Sequence, residues 1–449
     1  MLSPMSHLLL TNGRVVNEGR IVDTDLLIRG ERIERVGQGA APAGAEVVDL
    51  AGRYVLPGVI DDQVHFREPG LTHKATIGTE SLAAICGGVT SFLDMPNNSP
   101  PATSREAIER KRAIAAGASY ANYGFYLGAA NDNLVEIRRA DASLVCGIKV
   151  FMGASTGNML VDDPRTLEAI FADARVPLAA HCEDTPMIRA AEERFRERYG
   201  ENVPIEAHPE IRSADACYKS SALAVSLAKR HGARLHVLHL TTAREMELFE
   251  PGPVLGKRIT AEVCVHHLFF DDSWYREKGA LIKCNPAIKR PEDREALLAA
   301  VNAGVIDVIA TDHAPHTLEE KARPYFEAPS GLPLVQHSLL MLLEQHRQGL
   351  LTLPTIVEKT AHNPARLFRI ADRGFVREGG FADLAVVDCD ARTTGDRASV
   401  RYKCGWSPLE GETLGAAVTM TVLNGQIVYR DGEVLGEPAG RALEFHALA

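Results

Sequence analysis

Five side chains in the middle of this sequence are of types that bind divalent metal ions or move protons: His65, Lys149, His181, His239 and Asp312. His65 stands in VIDDQVHFR, His181 in VPLAAHCED, His239 in RLHVLHLT and Asp312 in VIATDHAPH. In each, an apolar β-prone run gives way to polar residues. Imidazoles and carboxylates together suit borderline divalent cations such as zinc. Gln63 lies two residues before His65, and residues i and i+2 of a strand face the same way, so both point into one site. Lys149, between Ile148 and Val150 in GIKVFMG, is costly inside an apolar strand unless it is paired or chemically altered. Other histidines, such as His231, His346 and His446, read as ordinary surface or core residues.

These side chains need a frame that brings distant segments together. Residues 57–371 alternate apolar runs with helical stretches, and eight runs read as strands: YVLPGVIDDQVHF, SFLDMP, ANYGFYLG, GIKVFMG, VPLAAHCED, RLHVLHLT, ITAEVCVHH and VIDVIATDHAP. Strand–helix alternation of this length predicts an α/β fold, a (β/α)8 TIM barrel, whose sites lie at the C-terminal strand ends. One helix shows its start, with Thr103 and Glu106 as a capping box and Gly117 as a stop. The two chain ends read differently. Asn12-Gly13, Asn424-Gly425 and Asp431-Gly432 are hairpin signals between β-rich runs, and GFVREGGFADLAVVD reads as a turn entering a strand. Residues 1–56 and 372–449 are therefore expected to build one small β-sandwich domain, with two separate β extensions as the alternative. The polar segment 196–218 is expected to help cover the site.

Bulk properties exclude other classes. The chain has 449 residues, 45% apolar and 24% charged, and a formal charge of −10 with both signs interspersed. That suits a large buried core and argues against phosphate-driven nucleic-acid binding. Eight cysteines without a CxxC pair read as reduced thiols of a cytoplasmic protein, with Cys146, Cys182 and Cys264 inside apolar runs. MLSPMSHLLLTNG lacks the basic and apolar regions of a secretory signal, and no run is long enough to span a bilayer.

The run PGVIDDQVHFREPG resembles the first-strand motif of the cyclic amidohydrolases, in the form that dihydroorotases carry with Arg67-Glu68-Pro69-Gly70. DMPNNSPP, IKCNPAIKR and IATDHAPH are likewise similar to dihydroorotase segments, and the resemblance covers nearly the whole chain. It implies a zinc centre of one or two ions held by His65, Lys149, His181, His239 and Asp312, with Lys149 N6-carboxylated as a bridging ligand. It also implies a metal-bound hydroxide as nucleophile, with Asp312 as proton shuttle. Arg67 and Asn97, helped by His316, would hold a substrate carboxylate, and Asn285 with the backbone near Ser330-Gly331 would touch the ring. A guanidinium is the natural fork for a carboxylate. The activity implied is the reversible conversion of (S)-dihydroorotate and water to N-carbamoyl-L-aspartate in pyrimidine synthesis, and a homo-oligomer is expected. Gln63 departs from the pattern, because the family has a histidine there. A binuclear site with Gln63 as a weak ligand, a single-metal site and a non-catalytic partner protein all stay open, as does an allantoinase or hydantoinase.

Overall fold

In the computed structural model, which describes residues 7–153 and 159–446, eight parallel strands follow one another around a barrel. They are β1 (Val59–Val64), β2 (Val89–Asp94), β3 (Asn122–Gly128), β4 (Gly147–Phe151), β5 (Leu178–His181), β6 (Leu235–Val237), β7 (Ile259–Cys264) and β8 (Val308–Ala310). Each pairs with its neighbour in parallel register, for example Ala179 with Lys149 and Val237 with Ala261. The ring closes where Val64 bridges His313 and His65 N–H donates to the His313 carbonyl at 2.7 Å. A parallel sheet with helices outside must be apolar on both faces, and these strands are buried along almost their whole length. The expected (β/α)8 barrel is the fold.

The chain ends meet in a nine-stranded mixed sheet. Its order runs from Glu433–Val434 through Gln426–Arg430, Ala417–Leu423, Leu384–Asp388, Tyr54–Pro57, His7–Asn17 and Arg20–Arg29 to Arg32–Val36, with Glu46–Asp49 paired to His7–Asn17. Leu10, Val15, Ile28, Val55, Val386 and Val422 form its separate apolar core. The run YVLPGVIDDQVHF, expected as one strand, is two. Tyr54–Pro57 joins the terminal sheet, and Val59–Val64 starts the barrel. Gly58 allows the break, since a Cβ there would meet Thr90 Oγ1 at 2.1 Å.

Two local expectations need correction. Asn424-Gly425 and Asp431-Gly432 do turn hairpins, with both residues of each pair at positive φ. Asn12-Gly13 instead makes a bulge inside His7–Asn17, and Glu18-Gly19 makes the turn. Asn12 is tied sideways, its N–H to Asp25 and its Nδ2 to Asp49, so the strand continues through it. The helix Arg105–Ala118 is capped by Ser104, which accepts from Ala107 N–H, rather than by Thr103, and it runs through Gly117 to Ser119. Ser104 is one residue closer to the free N–H groups of the first turn. All eight cysteines are free thiols. Among the described residues, no helix is long and apolar enough to cross a membrane. Residues 1–6, the start of the run read above for a leader, lie outside the described residues.

Candidate active site

The C-terminal ends of the strands open on a cleft of about 700 Å³ including its mouth. It is lined by Gln63, His65, Arg67, Asn97, Lys149, His181, His239, Asn285, Asp312, His316 and Ser330, with Phe151, Ala314 and Pro329 between them. Every site residue expected from sequence is on that wall except Gly331. Gly331 lies behind Ser330 at φ 143°, where a Cβ would stand 2.4 Å from the Ala314 carbonyl. Three wall residues that are not glycine, Arg67, His239 and Asp312, have left-handed backbones at φ 66°, 41° and 48°. Such conformations cost on the order of 1–3 kcal/mol each, and packing around a site sustains them.

On the floor, lone pairs converge. His65 Nδ1 lies 2.6 Å from Asn97 Oδ1, so its N–H is used there. Its Nε2 then faces Asp312 Oδ1 at 3.0 Å, two acceptors that only a proton or a cation reconciles. His181 Nδ1 and His239 Nε2 meet at 3.0 Å, and buried His239 Nδ1 has no hydrogen-bond partner among the described residues. Burial, then the neighbouring His181, holds His239 well below the usual imidazole range, so the ring is neutral and can donate a lone pair. Burial would raise Asp312, but the hydrogen bond and charge of His65 outweigh it and keep the carboxylate ionised. Lys149 is 1% exposed, and no carboxylate among the described residues is within ion-pair distance of its Nζ. Burial pushes it down to about 8. Gln63 donates its Nε2–H to Asp312 Oδ1 at 3.1 Å, which turns its carbonyl to the Cys264 thiol at 3.7 Å.

The wall beside this floor is cationic. Arg67 is buried, and its Nε donates to the Pro315 carbonyl at 3.2 Å. Glu68, its neighbour in sequence, accepts from Ile77 N–H instead. Lys74 donates to His316 Nδ1 at 3.0 Å, which makes Nε2 the ring's donor, and Nε2 stands 3.1 Å from the Ser330 carbonyl. Arg67 Nη2 is 3.0 Å from that same Nε2, so its own N–H is not satisfied there. Burial lowers Arg67 only to about 10, with Asp312 and Asp94 opposing, and it stays charged. Lys321, fully buried, donates to the carbonyls of Lys283, Pro329 and Gly331 and so fixes the Ser330 loop.

Sequence reasoning missed the residues that hold the floor in place. Glu183, two residues beyond His181 and therefore on the same face, lies 3.1 Å from His181 Nε2 and accepts from Arg212 at 2.5 Å. The HxE spacing in AHCED was the available signal. Arg212 comes from the segment 196–218, which does more than cover. Its His208 also reaches Tyr325 Oη and the Cys284 carbonyl, both at 2.8 Å. Glu262 accepts from the His239 N–H at 3.0 Å and so anchors the strained turn after β6.

Comparison with known proteins places this geometry. The Amidohydrolase family profile matches residues 54–428. A dihydroorotase of Methanothermobacter thermautotrophicus is 34% identical over 92% of this chain and 94% of its own length. An allantoinase of Solibacter usitatus is 32% identical over 98% and 97%. Among solved structures, the L-hydantoinase of Arthrobacter aurescens superposes with a TM-score of 0.92 at 26% identity, covering 97% of this chain and 99% of that one. With a closed barrel, strand-end histidines and this coverage, the chain belongs to the amidohydrolase family, as a cyclic amidohydrolase.

Proposed function

We propose that this protein is a dihydroorotase, interconverting (S)-dihydroorotate plus water and N-carbamoyl-L-aspartate. The observation that carries the reading is Arg67: a buried, charged guanidinium on the cleft wall with no carboxylate partner among the described residues. A carboxylate on the substrate would complete it, whereas a neutral hydantoin ring would leave a buried charge unpaired, which is costly. Asn97, whose Oδ1 is spent on His65, keeps its Nδ2–H for the same carboxylate. The similarity to proteins named dihydroorotase supports the reading.

The donor set fits one or two divalent ions of zinc's kind. Neutral imidazoles, the ionised Asp312 and the orphaned His239 Nδ1 are what such an ion requires. His65, Lys149, His181, His239 and Asp312 would hold it. When bound, it lowers the pKa of water towards neutrality and polarises a carbonyl. Lys149, pushed to about 8, is partly free base near neutrality, the form that adds carbon dioxide, and the carbamate would replace a buried cation by anionic oxygens. Asp312 takes the proton of the attacking water and hands it to the ring nitrogen as the amide bond breaks. Glu183 and Glu262 keep His181 and His239 oriented meanwhile.

A second reading, an allantoinase or hydantoinase, is favoured by the 98% coverage of the allantoinase relative. Turnover of dihydroorotate, allantoin and hydantoin by purified protein, with and without added zinc, separates them. Zinc-dependent turnover of dihydroorotate is expected. Its absence under saturating zinc overturns the reading, with activity on allantoin or hydantoin supporting the second and no activity at all pointing to a non-catalytic partner protein.

A further inference from the structure

Just outside the cleft wall, at the end of β7, Cys264, His266 and His267 bring a thiol and two imidazoles together, with their ligand atoms all within 4.8 Å of one another. All three are buried, and the two rings lie 4.0 Å apart. Among the described residues neither ring nitrogen of His266 meets hydrogen-bond geometry, although the Thr311 backbone lies close enough to favour a proton on the ring. His267 Nε2 stands 3.1 Å from the Pro286 carbonyl and donates to it, which leaves Nδ1 as a lone pair, without a partner among the described residues. A histidine that donates from one ring nitrogen to a backbone carbonyl and keeps a lone pair on the other has the tautomer fixed as in metal-binding histidines. Burial pushes His266 down to about 4, so the ring is neutral near pH 7 and one of its two nitrogens keeps a lone pair. The Cys264 thiol has only weak acceptors, Gln63 Oε1 at 3.7 Å and Glu262 Oε1 at 3.8 Å. Burial first, and then nearby carboxylates led by Glu262 and Asp312, disfavour a free thiolate, while those carboxylates favour a cation.

We propose that Cys264, His266 and His267 bind a further zinc-type ion, with the Gln63 carbonyl beside the thiol as fourth donor. A tetrahedral zinc site has ligand–ligand edges of roughly 3.5 Å, from bonds of ~2.3 Å to sulfur and ~2.0 Å to nitrogen. The ligand atoms of the cluster lie up to 4.8 Å apart, and binding would draw them together to those edges. Binding replaces the Cys264 S–H bond with a sulfur–metal bond and releases the proton to solvent. A thiolate with two imidazoles selects a borderline-soft cation over magnesium or calcium. The site gives Gln63 a role. Its amide spans the two places, donating to Asp312 on one side and turning its oxygen to Cys264 on the other.

Cobalt(II) chloride is the probe, added to purified, metal-stripped full-length protein. A near-ultraviolet thiolate-to-cobalt charge-transfer band is expected, displaced by zinc. Cys264→Ser abolishes the band and lowers bound zinc by one ion per chain. Cys284→Ser, which removes the other thiol near His267 at 3.8 Å, keeps it. The double variant His181→Asn/His239→Asn, stripped of strand-end imidazoles, also keeps it. Wild-type protein that binds cobalt without the band overturns the proposal, as does a band that survives Cys264→Ser. A band lost in the double variant means that the thiol serves the strand-end centre instead, and overturns a separate site. Should Cys264→Ser fail to fold, X-ray absorption of zinc-loaded wild type decides, since nitrogen and oxygen scatterers without sulfur would exclude the site. None of these readouts depends on turnover, so this inference and the dihydroorotase reading can fail separately.

Discussion

Two clusters in the barrel draw on carboxylates and imidazoles and do different things. Asp62, His236 and Glu262 lie on β1, β6 and β7, within three residues of Gln63 and His65, His239 and Cys264. In that triad His236 Nε2 stands 3.3 Å from each carboxylate, and all three side chains are fully buried. Burial would lower His236, but hydrogen bonds and charge from Asp62 and Glu262 push it up to about 9. The imidazolium is thus the triad's own cation, set between Asp62 and a Glu262 that burial, then Asp62, pushes up to about 7. At the strand ends the same groups face a cleft, their lone pairs meet, and Lys149 lacks a counter-ion among the described residues. Ligand chemistry needs more than composition. It needs donors whose charge the protein leaves unbalanced.

The sharpest break of this comparison is at the strand ends. Asp312→Asn is expected to lower kcat by roughly a thousandfold or more with the melting temperature little changed, as removal of a proton-transfer group does. Near-normal turnover would remove Asp312 from the chemistry. Lys149→Ala is expected to lose metal and activity together, with partial rescue by short carboxylic acids, and normal metal content in that variant counts against the carbamate. His236→Gln should behave in the opposite way. It leaves two buried carboxylates without their cation, at a cost of about 3–5 kcal/mol in denaturant unfolding, while the folded fraction keeps its metal.

The wild-type pH profile tests the same triad. A histidine raised from 6.5 to about 9 contributes stability that is fully present below about 6.5 and lost as pH rises through about 9. Unfolding free energy should fall across that window, and the fall should vanish in His236→Gln. A flat wild-type profile across that window would show that His236 is not held as an imidazolium. Arg67→Met is expected to raise KM for dihydroorotate by roughly ten- to a hundredfold, the value of a charged hydrogen bond. Unchanged kinetics would take Arg67 out of the site. Glu183→Gln should weaken metal binding about tenfold or somewhat more, measured by chelator competition, because His181 loses its orienting carboxylate.

Much of this was legible in the sequence, and where it was not the reasons are physical. His65, Lys149, His181, His239 and Asp312 could be picked out because strand ends follow from local apolar patterning, and a lysine in such a strand is conspicuous. Arg67 was visible as the residue two beyond His65. Glu183, Arg212 and Glu262 were not, because a carboxylate that orients a histidine is an ordinary acid until the fold brings it within 3.1 Å. Asn12-Gly13 misled because a turn-forming pair also suits a bulge, and only the partners Asp25 and Asp49 decide between them.

By itself, the sequence determined the alternation that makes a barrel, the β character of both ends and the residue types at the strand ends, since these depend on side-chain periodicity along one segment. Only the tertiary structure decided which of those groups are balanced. It gave His236 two carboxylates and left Lys149 and Arg67 with none among the described residues. Charge balance is set by distances between residues far apart in the chain, and closing the barrel is what fixes those distances.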